Sequence, residues 1–568
     1  MGDSMKGIIR FFITMIFVLG IGLAAWVIFS LFQEKVEVLP ASKAISQLSE
    51  DDMAVVIEGE FIGTDTLPKV FDDIIYIPFE IASQHVSKDF YMDNEEGVLT
   101  YTTNDKVIRV KADDEMYFIN GEEYRLQNNF RLIDEQMYIP ITFLLQYLEL
   151  DVQYNDYLDL LLIDFNNVSK RVGQVNTDKG YFRYYPQEES PALNKLIVGQ
   201  QLIIYGEDGD YYKVRNGEGI IGYVKKEYVQ HVRVKYSKFE DDEKVEYTKD
   251  NIEGKLNVVW HQTTTDQANL NVKNKFSNAK GLDVISPTWF HLGNSNGDVN
   301  SVASKEYVAW AHKNGYQVWA LFDNRFDSKL THNVLRSTLK REKAIDQIVA
   351  YADIYKLDGI NVDFESVAKE DGPNFVQFIK ELAPRLRQRG IILSVDCYVP
   401  SAWTAHYNRK EISKVVDYIM VMAYDEHWST SKESGSVASI GFVERAIVNT
   451  LKEVPKEKIL LGLPYYTRLW IEEEKDGNVQ VSSEALSMNS AYNNLKENKA
   501  DIKWNSEVGQ YYGEYEKDEV VYKIWLEDEK SIEEKVKLMD KYELAGVSGW
   551  KKGLEKDVIW NLLQKYLK

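Results

Sequence analysis

Hydrophobic and polar positions divide the chain into stretches of different period. Residues 11–32, FFITMIFVLGIGLAAWVIFSLF, are apolar with no charge. As a helix the run would span about 33 Å, close to the hydrocarbon core of a bilayer. Lys6 and Arg10 precede it, which by the positive-inside rule leaves the N-terminus cytoplasmic and the bulk outside. A cleaved signal peptide has a shorter apolar core and a small-x-small site, and no clear site of that kind follows here. The expectation is an uncleaved anchor over residues 1–35 and a single-pass protein of the cell membrane with its C-terminal bulk extracytoplasmic.

Residues 40–168 carry period-two segments, VLTYTT, KVIRVKA and LDLLLID, that predict strands. They also contain an echo. Ile74-Ile75-Tyr76-Ile77-Pro78 runs into the helical-looking FEIASQHV, and Met137-Tyr138-Ile139-Pro140 runs into ITFLLQYL. The pattern predicts an α+β repeat domain. Over 170–232, short apolar runs alternate with glycine turns: Val198-Gly199-Gln200, Tyr211-Tyr212-Lys213-Val214, Gly219, and Gly222-Tyr223-Val224. These suit a small β-barrel. Residues 233–251 are charged without apolar periodicity and read as a linker.

From 252 to the end, strands alternate with amphipathic helices. LNVVWHQ, LDVISPTWF, YQVWALF, DGINVDFE, IILSVDCY, YIMVMAY, ILLGLPYY and AGVSGW are eight candidate strands. Ile345, Ile348, Val349 and Ala352 form one helical stripe. Phe375, Phe378, Ile379, Leu382 and Leu386 form another, which Gly390 can terminate. Eight βα units over this length predict a C-terminal (β/α)₈ TIM barrel. An open doubly wound sheet is the alternative; no glycine-rich phosphate loop follows the first strand, which counts against it.

The segment DGINVDFE, residues 358–365, carries the chemistry. Side chains alternate along a strand, so Asn361, Asp363 and Glu365 share one face and Ile360, Val362 and Phe364 the other. In a barrel the apolar row faces the helices. The polar row then faces the axis, with Glu365 at the C-terminal rim. A buried row of carboxylates is costly unless it has work to do.

Composition narrows the partners. The net charge of −22 argues against nucleic acid, whose phosphates would repel the chain. A single cysteine, Cys397, excludes an intrachain disulfide framework. The eight histidines form no His-x-x-x-His pair, so a transition-metal site is unsupported. The 36 Tyr and 12 Trp suit a protein that stacks on sugars, and equally suit β-rich domains with surface tyrosines.

Asp358, Gly359, Asp363 and Glu365 resemble the fourth-strand signature Asp-Gly-x-Asp-x-Asp-x-Glu of the family 18 glycoside hydrolases. Asn361 replaces its middle aspartate. Met422-Ala423-Tyr424-Asp425, Gly462-x-Pro464-x-Tyr466 and Trp550 are similar to the family's sixth, seventh and eighth strands. The run MAYDEHW and IWLEDEKS at 524–531 resemble the spore-cortex-lytic branch, which acts on peptidoglycan. The resemblance implies a retaining glycosidase in which the substrate's own 2-acetamido oxygen is the nucleophile, a mechanism that needs no metal or organic cofactor. Glu365 would be the acid, Asp363 would orient the acetamido N–H and raise the pKa of Glu365, and Tyr424 would hold the acetamido carbonyl. Asn361, Asp425, Tyr466 and Trp550 would complete substrate binding. The Asn361 amide would donate to Asp363 and favour its ionised form. The resemblance also implies a small α+β insertion near 471–525.

Residues 40–168 resemble the copper amine oxidase N-terminal-like repeat, and 170–232 a bacterial SH3-like domain, a type that often binds cell-wall peptides. The implied partners are a glycan polymer, the cell wall through the SH3-like domain, and the membrane through the first helix. A chitinase-type hydrolase and a non-catalytic glycan-binding protein on the same fold remain alternatives.

Overall fold

The computed structural model describes residues 2–31, 38–39, 53–235, 254–475 and 477–568. Most of the expected linker lies outside the described residues. Gly2–Leu31 form a helix. Among the described residues no helix is long and apolar enough to cross a membrane. That overturns the expected anchor, and with it the single-pass membrane placement.

The chain forms two compact units, residues 1–88 with 127–242, and residues 89–126 with 243–568. In the first, the two Tyr-Ile-Pro motifs pair with each other. The strands Ile74–Pro78 and Gln136–Pro140 are antiparallel, with Ile139 opposite Ile77, Tyr138 opposite Pro78 and Pro140 opposite Tyr76. The sequence echo is therefore a local two-fold. Each proline ends its strand and precedes a helical turn, because it lacks an N–H for the ladder and its fixed φ suits a helix start. The strands Ala54–Ile57 and Leu160–Phe165 pair in parallel, and Ala54, Val56, Leu160 and Leu162 share one core with Val175, Phe182, Leu202, Val214 and Val224. Those last five belong to a seven-stranded antiparallel sheet spanning 170–235.

In the second unit, eight parallel strands close into a barrel: β1 (Leu256–His261), β2 (Val284–Leu292), β3 (Gln317–Asp323), β4 (Gly359–Asp363), β5 (Ile392–Tyr398), β6 (Tyr418–Met422), β7 (Ile459–Pro464) and β8 (Gly546–Trp550). Each pairs with the next, and β8 returns to β1. The eight strands fall on the eight expected segments. Alternation sorts their side chains into two cores. Ile360, Val362, Val395 and Val421 pack outward against helices, including α1 (Thr338–Tyr355) and α2 (Gly372–Arg387). Leu256, Val258, Trp260, Val284, Trp319, Leu321, Met420 and Leu460 fill the lumen. Gly359 is required by that plug, since a Cβ there would lie 2.6 Å from the Trp319 ring.

Two additions decorate the barrel. Residues 466–526, between β7 and β8, form a five-stranded antiparallel sheet with the helix Met488–Glu497. Residues 90–125 form a five-stranded meander that docks on α1 and α2. The Asp93 carboxylate accepts from the Thr338 N–H at 2.8 Å and its hydroxyl at 2.9 Å, Tyr91 donates to Asn374 at 2.8 Å, and Arg109 reaches Glu381 at 3.0 Å.

Candidate active site

Barrel register decides which polar side chains meet. Asp323 on β3 lies beside Asp363 on β4. Between β4 and β5, Val362 pairs with Val395, so the next residues, Asp363 and Asp396, are level. Three successive strands thus carry an inward aspartate at one level. The apolar plug lies below, and a cavity of about 320 Å³ lies above, lined by these three carboxylates together with Glu365, Tyr398, Tyr424, Asp425, His291, Trp260 and Trp550.

Glu365 follows the end of β4, and its main chain is clamped by Asn324, which is fully buried. The Asn324 amide nitrogen donates to the Glu365 carbonyl at 2.6 Å, and its oxygen accepts from the Glu365 N–H at 3.0 Å. Tyr407 donates to the Phe364 carbonyl at 3.1 Å. These bonds continue the sheet ladder past the strand and hold Glu365 at the rim. Burial raises the Glu365 carboxyl to about 7, against a hydrogen bond from Tyr398 that favours the anion; Asp425 and Asp323 push it further up. Asp363 and Asp396 are pushed well above the usual carboxylate range, first by burial and then by neighbouring carboxylates.

One expectation about this electrostatic arrangement is corrected. Asn361 does not donate to Asp363. Its oxygen accepts from Trp260 Nε1 at 2.8 Å and Ser286 at 3.1 Å, and its nitrogen donates to Asp396 at 2.8 Å. Asp363 therefore lacks the donor that would have favoured its anion, and its Oδ1 is buried without a hydrogen-bond partner among the described residues. The Glu365 carboxyl is raised first by burial, and Asp363 and Glu365 repel each other as neighbouring carboxylates.

The remaining expected residues divide. Asp363, Glu365, Tyr424, Asp425 and Trp550 line one cavity. Trp550 is half-buried and meets Trp260 edge-on at 5.9 Å. Asp425 sits at φ 57° after β6. Tyr466 lies outside the lining and donates to Asp425. Asn361 is also outside it, fully buried with its amide committed below the cavity floor.

Sequence reasoning missed Asp396, Tyr398, Asp323, Asn324 and His291. The signal for two of them was present. In IILSVDCY, Ser394, Asp396 and Tyr398 alternate with Leu393, Val395 and Cys397, the same period that marked β4. His291, which bonds Asp323 at 2.7 Å, carried no such mark.

The model of the glycosyl hydrolases family 18 matches residues 210–555. The chain belongs to glycosyl hydrolase family 18. This hydrolase also contains a copper amine oxidase N-terminal domain match at 56–160 and a bacterial SH3 domain match at 178–230. It is 28% identical over 318 residues to the uncharacterised glycosylase YvbX of Bacillus subtilis (strain 168), covering 53% of this chain and 89% of that protein. It is 27% identical over 249 residues to the cortical fragment-lytic enzyme of Bacillus anthracis, covering 42% of this chain and 57% of the relative's length. The solved spore cortex-lytic enzyme SleL of Bacillus cereus shares its fold, with TM-score 0.50 and 22% identity over 66% of this chain and 90% of that one. The hydrolase is thus a family 18 glycosidase related to spore cortex-lytic enzymes and chitinases.

Proposed function

We propose that the hydrolase cleaves N-acetylglucosamine-containing glycan, with peptidoglycan as its substrate, and that it does so with retention through substrate assistance. The observation that carries the reading is the pairing of Glu365, whose carboxyl is raised to about 7, with Asp363, whose Oδ1 is buried and unpartnered among the described residues, in one cavity. Glu365 holds a proton near neutrality and gives it to the glycosidic oxygen. The acetamido oxygen attacks the anomeric carbon, the leaving sugar departs with the proton, and water then opens the oxazolinium ion. Asp363 Oδ1 accepts the acetamido N–H and stabilises the developing positive charge. Tyr424 donates to the acetamido carbonyl, Asp425 contacts the sugar and is held by Tyr466, and Trp550 stacks beneath the ring.

The likeness to cortical fragment-lytic enzymes and the SH3-type module, read as a wall-binding device, support peptidoglycan. The test is to incubate the full chain with purified peptidoglycan, with its de-N-acetylated form and with chitin oligomers, and to identify products by mass spectrometry. Acetylated peptidoglycan is expected to be cut. Efficient cleavage of the de-N-acetylated form at the same bond would reject substrate assistance, and chitin as the better substrate would reject the choice of polymer.

A further inference from the structure

The fourth-strand pattern that this chain resembles has aspartates at the positions of residues 361 and 363, before its glutamate, and here the former is Asn361. An amide cannot take or give up a proton in this range, so β4 by itself leaves Asp363 without a partner acid. The neighbouring strand has one. Asp396 on β5 is level with Asp363 by the parallel register, is 3% exposed, and lines the same cavity. We propose that Asp396 supplies the second buried acid of the site from β5, in place of the one that Asn361 lacks on β4, and so acts as the positioning residue that sets the charge of Asp363; this rests on the reading of Glu365 and Asp363 given above.

The orientation of Asn361 is the first support. Its oxygen receives two donors, from Trp260 and Ser286. That arrangement turns the amide nitrogen toward Asp396, to which it donates at 2.8 Å. Asn361 thus works as a strut between two lumen donors and the β5 carboxylate, and its side chain is spent on Asp396 and not on the residue two along its own strand.

The surroundings are the second support. Asp323 with His291 lies on the β3 side. Glu365 with Tyr398, and Tyr424 with Asp425, lie above. Among the described residues lining the cavity none is Lys or Arg. Two carboxyl groups level with each other in such a lumen cannot both ionise cheaply, so the pair retains one proton and titrates as a unit. Both are raised, Asp363 by burial and then by Asp396, and Asp396 by burial and by Glu365 against the donors Asn361 and Trp260. When Asp363 takes the acetamido N–H it must be the anion, and the proton then resides on Asp396. The pair carries one negative charge before and after, so the cavity gains no charge as the substrate enters.

Asp396→Asn keeps the shape and the hydrogen bond from Asn361 but cannot hold the proton. In the full chain, kcat is expected to fall at least ~10-fold with KM little changed, and the kcat–pH profile to shift. The double variant Asn361→Asp/Asp396→Asn returns the carboxylate to β4, where Trp260 and Ser286 are already aimed at it. It is expected to recover most of the lost kcat. A kcat and pH profile unchanged in Asp396→Asn would overturn the proposal. So would a loss that the double variant does not recover although it melts like wild type. Glu365→Gln is measured alongside. If it stays active, the reading of the whole site fails; if it is inactive while Asp396→Asn matches wild type, only the role of Asp396 fails.

Discussion

Two sites with buried acids behave in opposite ways, although Glu381 of the first lies between Glu365 and Asp396 of the second in sequence. Where the 90–125 meander meets α1 and α2, Glu381 is fully buried against Arg341 at 3.0 Å and Arg109 at 3.0 Å, and Gln377 donates to it at 3.0 Å. Burial alone would raise its carboxyl, but the two guanidinium groups and the amide win and lower it. In the barrel mouth the burial is similar and, among the described lining residues, no Lys or Arg answers it, so Asp363, Asp396 and Glu365 are raised. An unpaired buried charge costs free energy. The first cluster is what a fold does with buried acids when stability decides. The second retains its unpaired carboxyls, and what it gains is a protonated acid near neutrality.

The largest effect expected from breaking this contrast is catalytic. Glu365→Gln keeps shape and removes the proton, so hydrolysis should fall by ~10²–10⁴-fold or more while glycan binding persists. Turnover of purified peptidoglycan and calorimetry on the same preparation read the two quantities. Undiminished turnover would remove Glu365 as the acid.

The paired cluster should respond in stability and not in chemistry. Arg341→Met leaves Glu381 in a dry site with half its compensation, and breaking a buried pair in this way costs ~3–5 kcal/mol. Denaturant titration measures it. A loss below ~1 kcal/mol would mean that Arg109 alone satisfies Glu381 and that the two clusters differ less than their geometry suggests.

The pH dependences should have opposite signs. The Glu365 carboxyl titrates at about 7 in the folded chain against an ordinary 4.5. Between those values the folded state holds the extra proton, so the stability associated with this group declines as pH rises through the window. Glu365→Gln should therefore gain stability relative to wild type over that rise, and wild-type kcat/KM should fall above about 7. Glu381, lowered, contributes stability that is present above its unfolded pKa and lost as pH falls through its folded one. A melting-temperature difference between wild type and Glu365→Gln that is flat with pH would contradict the assignment.

The smallest effect belongs to Tyr466, which donates to the exposed carboxylate Asp425. Tyr466→Phe removes one hydrogen bond, ~0.5–1.5 kcal/mol, and should lower kcat/KM by a factor of ~2–10. A larger loss would place Tyr466 in direct contact with the sugar.

Much of this was legible because β-strand alternation is local. Ile360, Val362 and Phe364 could only face the helices once a helical stripe lay on each side, and that put Asn361 and Asp363 in the lumen. The same period stood in Ser394, Asp396 and Tyr398, and it went unread because no acid-x-acid spacing drew attention to it. The expected Asn361–Asp363 bond failed for a different reason. Two residues apart on one strand are neighbours in sequence, but the nearest lumen partners of a side chain come from adjacent strands, here Trp260, Ser286 and Asp396. The first helix shows the converse error, where an apolar run was read as a membrane span although no described helix meets the length and apolarity that crossing demands.

The sequence by itself determined the periods: eight strands, the helices between them, the paired Tyr-Ile-Pro motifs, and the carboxylates on β4, because spacing along one element depends only on backbone geometry. The tertiary structure alone decided which acids share a site and which are neutralised. Register brought Asp323, Asp363 and Asp396 level across three strands, while docking of the 90–125 meander delivered Arg109 to Glu381 from 272 residues away. Charge state in a buried site is set by the nearest groups in space, and those are chosen by packing and not by order along the chain.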